Sequence, residues 1–147
     1  MKLLQLIPMT KNILLFVFTI IFLLSITSCA TTAKFETSAV VPAARGDVKV
    51  TKDNNNNYKV KISISNLAEV NRLQPARETY VVWLVSDQDE TKNLGQLKSS
   101  SGTFSSKLKA SFSAVTSYKP SKIFITAEDD ATTLYPSGQT ILSTDRF

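Results

Sequence analysis

The chain has 147 residues, 43% of them hydrophobic and 20% charged, with a formal net charge of +5, one cysteine and no histidine. A single cysteine excludes an internal disulfide, and the lack of histidine removes the commonest general base and with it any Ser-His-Asp hydrolysis. Lys and Arg are spread along the chain rather than clustered, so the modest positive charge leaves no nucleic-acid footprint.

The first residues carry Lys2 and Lys11 and then a run over 13–24 that is apolar but for Thr19, ILLFVFTIIFLL. A basic stretch followed by a short apolar core is the pattern of a secretory signal, and the run falls short of the about 20 residues that span a bilayer. Ile26, Thr27, Ser28 and Cys29 follow at once. An aliphatic residue, two small ones and a cysteine, at the end of such a run, resemble the lipobox of bacterial lipoproteins. The resemblance implies a signal peptide over 1–28, cleavage before Cys29, and acylation of that cysteine with palmitate-like chains that hold the protein on the cell envelope. It also accounts for the one unpaired thiol of an exported chain. Ala30 stands where an inner-membrane retention signal would place Asp, which points to the outer membrane in a cell that has one. Cleavage would leave about 120 residues, enough for one domain and too few for two.

Residues 29–45 are rich in Ala, Thr, Ser and Pro, with Val40 and Val41 as the one apolar pair, and read as a lipidated flexible tether. From residue 46 onward short strands alternate with turn signals, and no window sustains a helical period. Val48 and Val50 alternate with polar neighbours over 46–52. The Asp-Asn run at 53–57 is turn chemistry, because Asn and Asp tolerate left-handed backbone and cap their own turns. Tyr58, Val60, Ile62 and Ile64 alternate strictly with Lys and Ser, which predicts a half-buried strand. A polar stretch containing Pro75 leads to 79–85, where Tyr80, Val81, Val82, Trp83, Leu84 and Val85 form a continuous apolar run, as in a central strand covered on both faces. Further strands are expected over 93–97, through Leu108, Ala110 and Phe112, over 122–128, and over 140–143.

About seven short strands with this spacing predict an all-β fold, an immunoglobulin-like antiparallel β-sandwich over 46–147, with a small closed barrel as the alternative. Tyr80, Trp83, Leu84, Ile123 and Ile125 are the expected core, with Trp83 between the two sheets.

Over residues 80–142 the chain resembles the extracytoplasmic C-terminal domain of anti-sigma-K-type factors. The resemblance rests on Tyr80-x-x-Trp83-Leu84-Val85, Leu94-Gly95-x-Leu97, the strand from Leu108 to Phe112, the run Ile123-Phe124-Ile125-Thr126-Ala127-Glu128, and Pro136-x-Gly138. It implies a domain that works outside the membrane without chemistry of its own. Members of that family also carry a cytoplasmic domain that holds the sigma factor, often zinc-bound through His and Cys, and a transmembrane helix. This sequence has no histidine and one cysteine, so sigma-factor binding is not carried over.

Two acidic turns remain. Asp87, Asp89 and Glu90 lie in one, and Glu128, Asp129 and Asp130 in the other. Brought together, Asp87, Asp89, Asp129 and Asp130 would offer oxygen ligands to calcium, although neither turn has EF-hand spacing, and solvated loop charges are the simpler reading. No cofactor is expected. The functional expectation is a membrane-anchored, non-catalytic module that binds an envelope protein; the alternative is a calcium- or small-ligand-binding sensor.

Overall fold

The computed structural model describes residues 30–100 and 109–147, and the alternating stretches of the sequence become its strands. There are eight among the described residues: β1 (Ala30–Lys34), β2 (Arg45–Lys52), β3 (Tyr58–Ser65), β4 (Thr79–Ser86), β5 (Thr91–Ser100), β6 (Lys109–Thr116), β7 (Pro120–Glu128) and β8 (Gln139–Ser143). One short helical turn, Val70–Arg72, interrupts the β3–β4 connection. All pairings are antiparallel and join the strands into one curled sheet in the order β1-β2-β3-β6-β5-β4-β7-β8. Strands β4, β5 and β6 follow one another as neighbours, while β7 returns beside β4 and β3 lies beside β6. These are two overlapping Greek keys. The curl brings the ends of the sheet together, where Phe35 bridges Thr144 and the Glu36 N–H donates to the Ser143 carbonyl at 2.9 Å.

Strand β5 turns the sheet. Residues 91–97 pair with β4, whereas the last residues pair with β6, beginning at Lys98 opposite Ser111. Between them the β4 register slips, with Val82 opposite Gly95 and Trp83 opposite Asn93, so Leu94 is the extra residue of a bulge. Gly95 sits there at φ +125°, a conformation that L side chains rarely adopt. A bulge bends and over-twists its strand, and this one swings β5 from one half of the sheet to the other.

The two halves enclose the core. Val48, Val50, Val60, Ile62, Ile64 and Ala110 come from one half; Tyr80, Val82, Leu84, Leu97, Ile123, Ile125, Ile141 and Leu142 from the other. Lys59, Lys61 and Ser63 alternate outward on β3, as a one-sided strand requires. Tyr80 is buried to its ring edge, where its hydroxyl donates to the Ala68 carbonyl at 3.0 Å, and burial pushes the phenol pKa up to about 12.

Two expectations change. The stretch expected as a tether, residues 29–45, contains an eighth strand from Ala30 onward, paired with β2 along its whole length. Phe35, Val41 and Ala44 then enter the core, and the Ser38 hydroxyl accepts the Val40 and Val41 N–H groups, folding the β1–β2 connection onto it. The folded region thus includes residues 30–45 and is not confined to residue 46 onward. Trp83 is fully buried, but not between the halves. Alternation along β4 sends Tyr80, Val82 and Leu84 inward and Val81 and Trp83 to the opposite face.

Candidate functional site

The signal peptide expected over 1–28, Ile26, Thr27, Ser28 and Cys29 lie outside the described residues; Ala30, next to the expected lipid attachment, belongs to β1. Tyr80, Leu84, Ile123 and Ile125 share the core.

The acidic turns are not brought together. Ser86 lies opposite Pro120 and Thr79 opposite Glu128, so the turn after β4 and the turn after β7 sit at opposite ends of the sheet, roughly 20–25 Å apart at one strand rise per residue. Their carboxylates have local partners instead. Asp87 pairs with Lys119 at 3.7 Å, Asp89 with Arg146 and Asp129 with Arg77, while Asp130 accepts both the hydroxyl and the N–H of Thr132 at 2.8 Å, which lowers its pKa. The shared calcium cage considered from the sequence therefore does not form, and no cluster of three or more metal-ligating side chains occurs among the described residues.

Glu128 departs from its neighbours. It is the last residue of β7, only 2% exposed, and its carboxylate accepts four hydrogen bonds: from the Thr126 hydroxyl at 2.6 Å, the Ser137 hydroxyl at 2.8 Å, and the N–H groups of Ser137 and Gly138 at 3.1 and 2.9 Å. Thr126 in turn accepts the Trp83 indole N–H at 2.8 Å, and Trp83 stacks on Phe124 with centroids 6.2 Å apart. The Asn93 amide donates to the carbonyls of Ala131 and Thr133. Trp83, Thr126-x-Glu128 and Pro136-x-Gly138, far apart in sequence, thus form one polar chain that straps the β7–β8 connection, residues 129–138, over the outer face of β4 and β7.

The strap depends on a glycine. A Cβ on residue 138 would stand 1.7 Å from the Ala127 carbonyl oxygen, a backbone atom that cannot swing away. Gly138→Ala is expected to destabilise the domain by about 1–3 kcal/mol or more through this overlap. A urea titration that matches the wild type would show that the strap does not hold this close approach.

On the flank, between the two halves, lies a concavity of about 500 Å³. Leu94 of β5, Ala114 and Val115 of β6, Tyr118, and Leu134 and Tyr135 of the strapped connection line it. Val115 is 63% exposed, Leu134 78% and Tyr135 76%, and with Tyr118 they make up four of the five exposed large apolar residues in the described chain. Soluble surfaces tolerate such residues singly; their collection in one concavity sets it apart from the rest of the described surface. Lys92 stands over the Tyr118 ring, its ammonium 4.7 Å from the centroid. The sequence motifs include Leu94 of this lining but give none of it a binding role. Leu134 and Tyr135 were the visible hint, two large apolar residues beside Pro136 in a turn.

No family model, curated protein or solved structure matches the chain. The functional reading therefore stands on the geometry and the sequence motifs.

Proposed function

We propose that the chain is an exported bacterial lipoprotein, anchored to the envelope through lipid on Cys29, whose β-domain is a non-catalytic module that binds a protein partner. The observation that carries the binding half is the apolar flank concavity, whose lining holds one ionisable ammonium, Lys92, and no carboxylate to serve as a general acid. The anchor half is supported by the apolar run and by Ile26, Thr27, Ser28 and Cys29. Pairing of Ala30–Lys34 with β2 would keep the domain close to a lipid on Cys29. The two facing half-sheets with overlapping Greek keys support an immunoglobulin-like sandwich as the finer description of the fold. The likeness to the outer domain of anti-sigma-K-type factors rests on the motif series from Tyr80-x-x-Trp83 to Pro136-x-Gly138. Outer-membrane residence, where the cell has such a membrane, remains part of the proposal.

The anchor is tested by Cys29→Ser, which is expected to accumulate as an uncleaved precursor that incorporates no labelled palmitate; labelling equal to wild type would refute lipidation at Cys29. The binding half is tested in the native envelope with photo-crosslinking side chains at Val115 and Leu134, which should capture one protein. Replacing Asp87, Asp89, Asp129 and Asp130 together with Asn should leave both function and crosslinks intact. Loss of function with crosslinks preserved would instead favour the small-ligand or calcium reading.

A further inference from the structure

We propose that the flank concavity takes an extended polypeptide segment that carries apolar and acidic side chains on one face and adds as a strand to the free edge of β6. The inference deepens the protein-binding reading and rests on it.

Main-chain hydrogen bonding selects the occupant. β6 pairs with β3 over all its residues, from Lys109 opposite Ser65 to Thr116 opposite Tyr58, but its pairing with β5 ends at Ser111. Beyond that point the bulge at Leu94 and Gly95 carries β5 away toward β4. Residues 114–116 of β6 and 91–94 of β5 therefore line the concavity from its two sides, each with a strand on its far side and none on the near one. Alternate N–H and C=O groups of a half-paired strand need partners at regular spacing, and an extended polypeptide supplies them.

Side chains narrow the choice further. A strand laid beside β6 would send every second side chain toward Val115, Tyr118, Leu134 and Tyr135, which calls for aliphatic or aromatic residues there. The same face carries cations. Lys59 lies directly opposite Val115 and Lys61 opposite Ser113, which places both lysines on the face that carries Val115, exposed and without an ion-pair partner among the described residues. Lys92, on the β5 side, is already paired with Glu90 at 3.2 Å. Acidic residues among the side chains sent to that face complement Lys59 and Lys61.

The proposal is tested with the full-length chain, purified from membranes into phosphatidylcholine nanodiscs and panned against a displayed library of random 12-residue peptides. Enriched peptides are expected to carry apolar residues and Asp or Glu together at every second position, to bind about tenfold or more weakly to Val115→Lys and Leu134→Lys, and to weaken with added salt. Bound peptide should slow amide hydrogen exchange over 112–116 and leave β1 and β8 unchanged. No enrichment, enrichment indifferent to both substitutions, or protection confined to β1 or β8 would each overturn it. So would loss of binding to phosphatidylglycerol vesicles in the same two variants without any peptide selected, because the surface would then be a lipid contact. Envelope photo-crosslinks separate this failure from failure of the underlying reading. Crosslinks from the β1 or β8 edge but not from Val115 would keep a protein-binding module and remove this groove, whereas no protein crosslink from any edge would remove both.

Discussion

Trp83→Ala is expected to lower the unfolding free energy by about 3–5 kcal/mol. The side chain has no exposed surface, stacks on Phe124, and spends its N–H on Thr126, so truncation removes apolar burial, opens a cavity under residues 129–138 and unlinks the strap. A domain of this size holds only about 5–15 kcal/mol in total, so the variant should sit near the edge of folding. Trp83→Phe keeps most of the burial and the stacking but loses the donor to Thr126, and should cost nearer 1 kcal/mol. Because Trp83 is the only tryptophan, unfolding is best followed by far-ultraviolet circular dichroism in urea. A Trp83→Ala midpoint equal to wild type would mean that the outer face of β4 is not sealed, and Trp83 would return as a candidate binding residue.

How far the sequence shows this architecture depends on the reach of each interaction. The alternation of Tyr58, Val60, Ile62 and Ile64 is local, and β3 follows from it directly. The continuous apolar run over 79–85 announces a strand covered on both faces, but such a run carries no alternation to say which side chains face which cover. The face of Trp83 is decided by residues 129–138, strapped on through a glycine and a carboxylate in another part of the chain. Strand β1 is illegible for the opposite reason. Ala30, Thr31, Thr32, Ala33 and Lys34 bury little, and what fixes them is backbone pairing with β2 and the folding back of Phe35 and Val41. The flank groove depends on where β5 leaves β6, and pattern alone cannot supply that register. Gly95 was visible in Leu94-Gly95-x-Leu97, though its consequence, an unpaired edge on a different strand, was not.

Glu128 shows the same limit and carries the second large effect. Next to Asp129 and Asp130 it reads as one more turn charge, yet it ends a strand and is buried on the outer face beneath the strap. Burial alone would raise its pKa, but the hydrogen bonds from Thr126, Gly138 and Ser137 to the ionised carboxylate outweigh that, and the net shift is downward from the ordinary value of 4.5. A carboxylate whose folded pKa is depressed contributes stability that is complete above its unfolded value and is lost as pH falls through the lower, folded value. The urea midpoint of the wild type should therefore drop on acidification below about pH 4.5, and Glu128→Gln should remove Glu128's share of that slope. At neutral pH, Glu128→Ala leaves the Ser137 and Gly138 N–H groups and two hydroxyls without their acceptor, at a cost of about 2–4 kcal/mol. Trp83 and Glu128 act through the same Thr126 hydroxyl, so the Trp83→Ala, Glu128→Ala double variant should lose less than the sum of the two. Residues 129–138 also carry Leu134 and Tyr135 into the groove, so loosening the strap should weaken peptide binding while leaving the β6 edge in place. Strictly additive losses, or an acid slope unchanged in Glu128→Gln, would show that the strap is not the coupled unit that its hydrogen bonds describe.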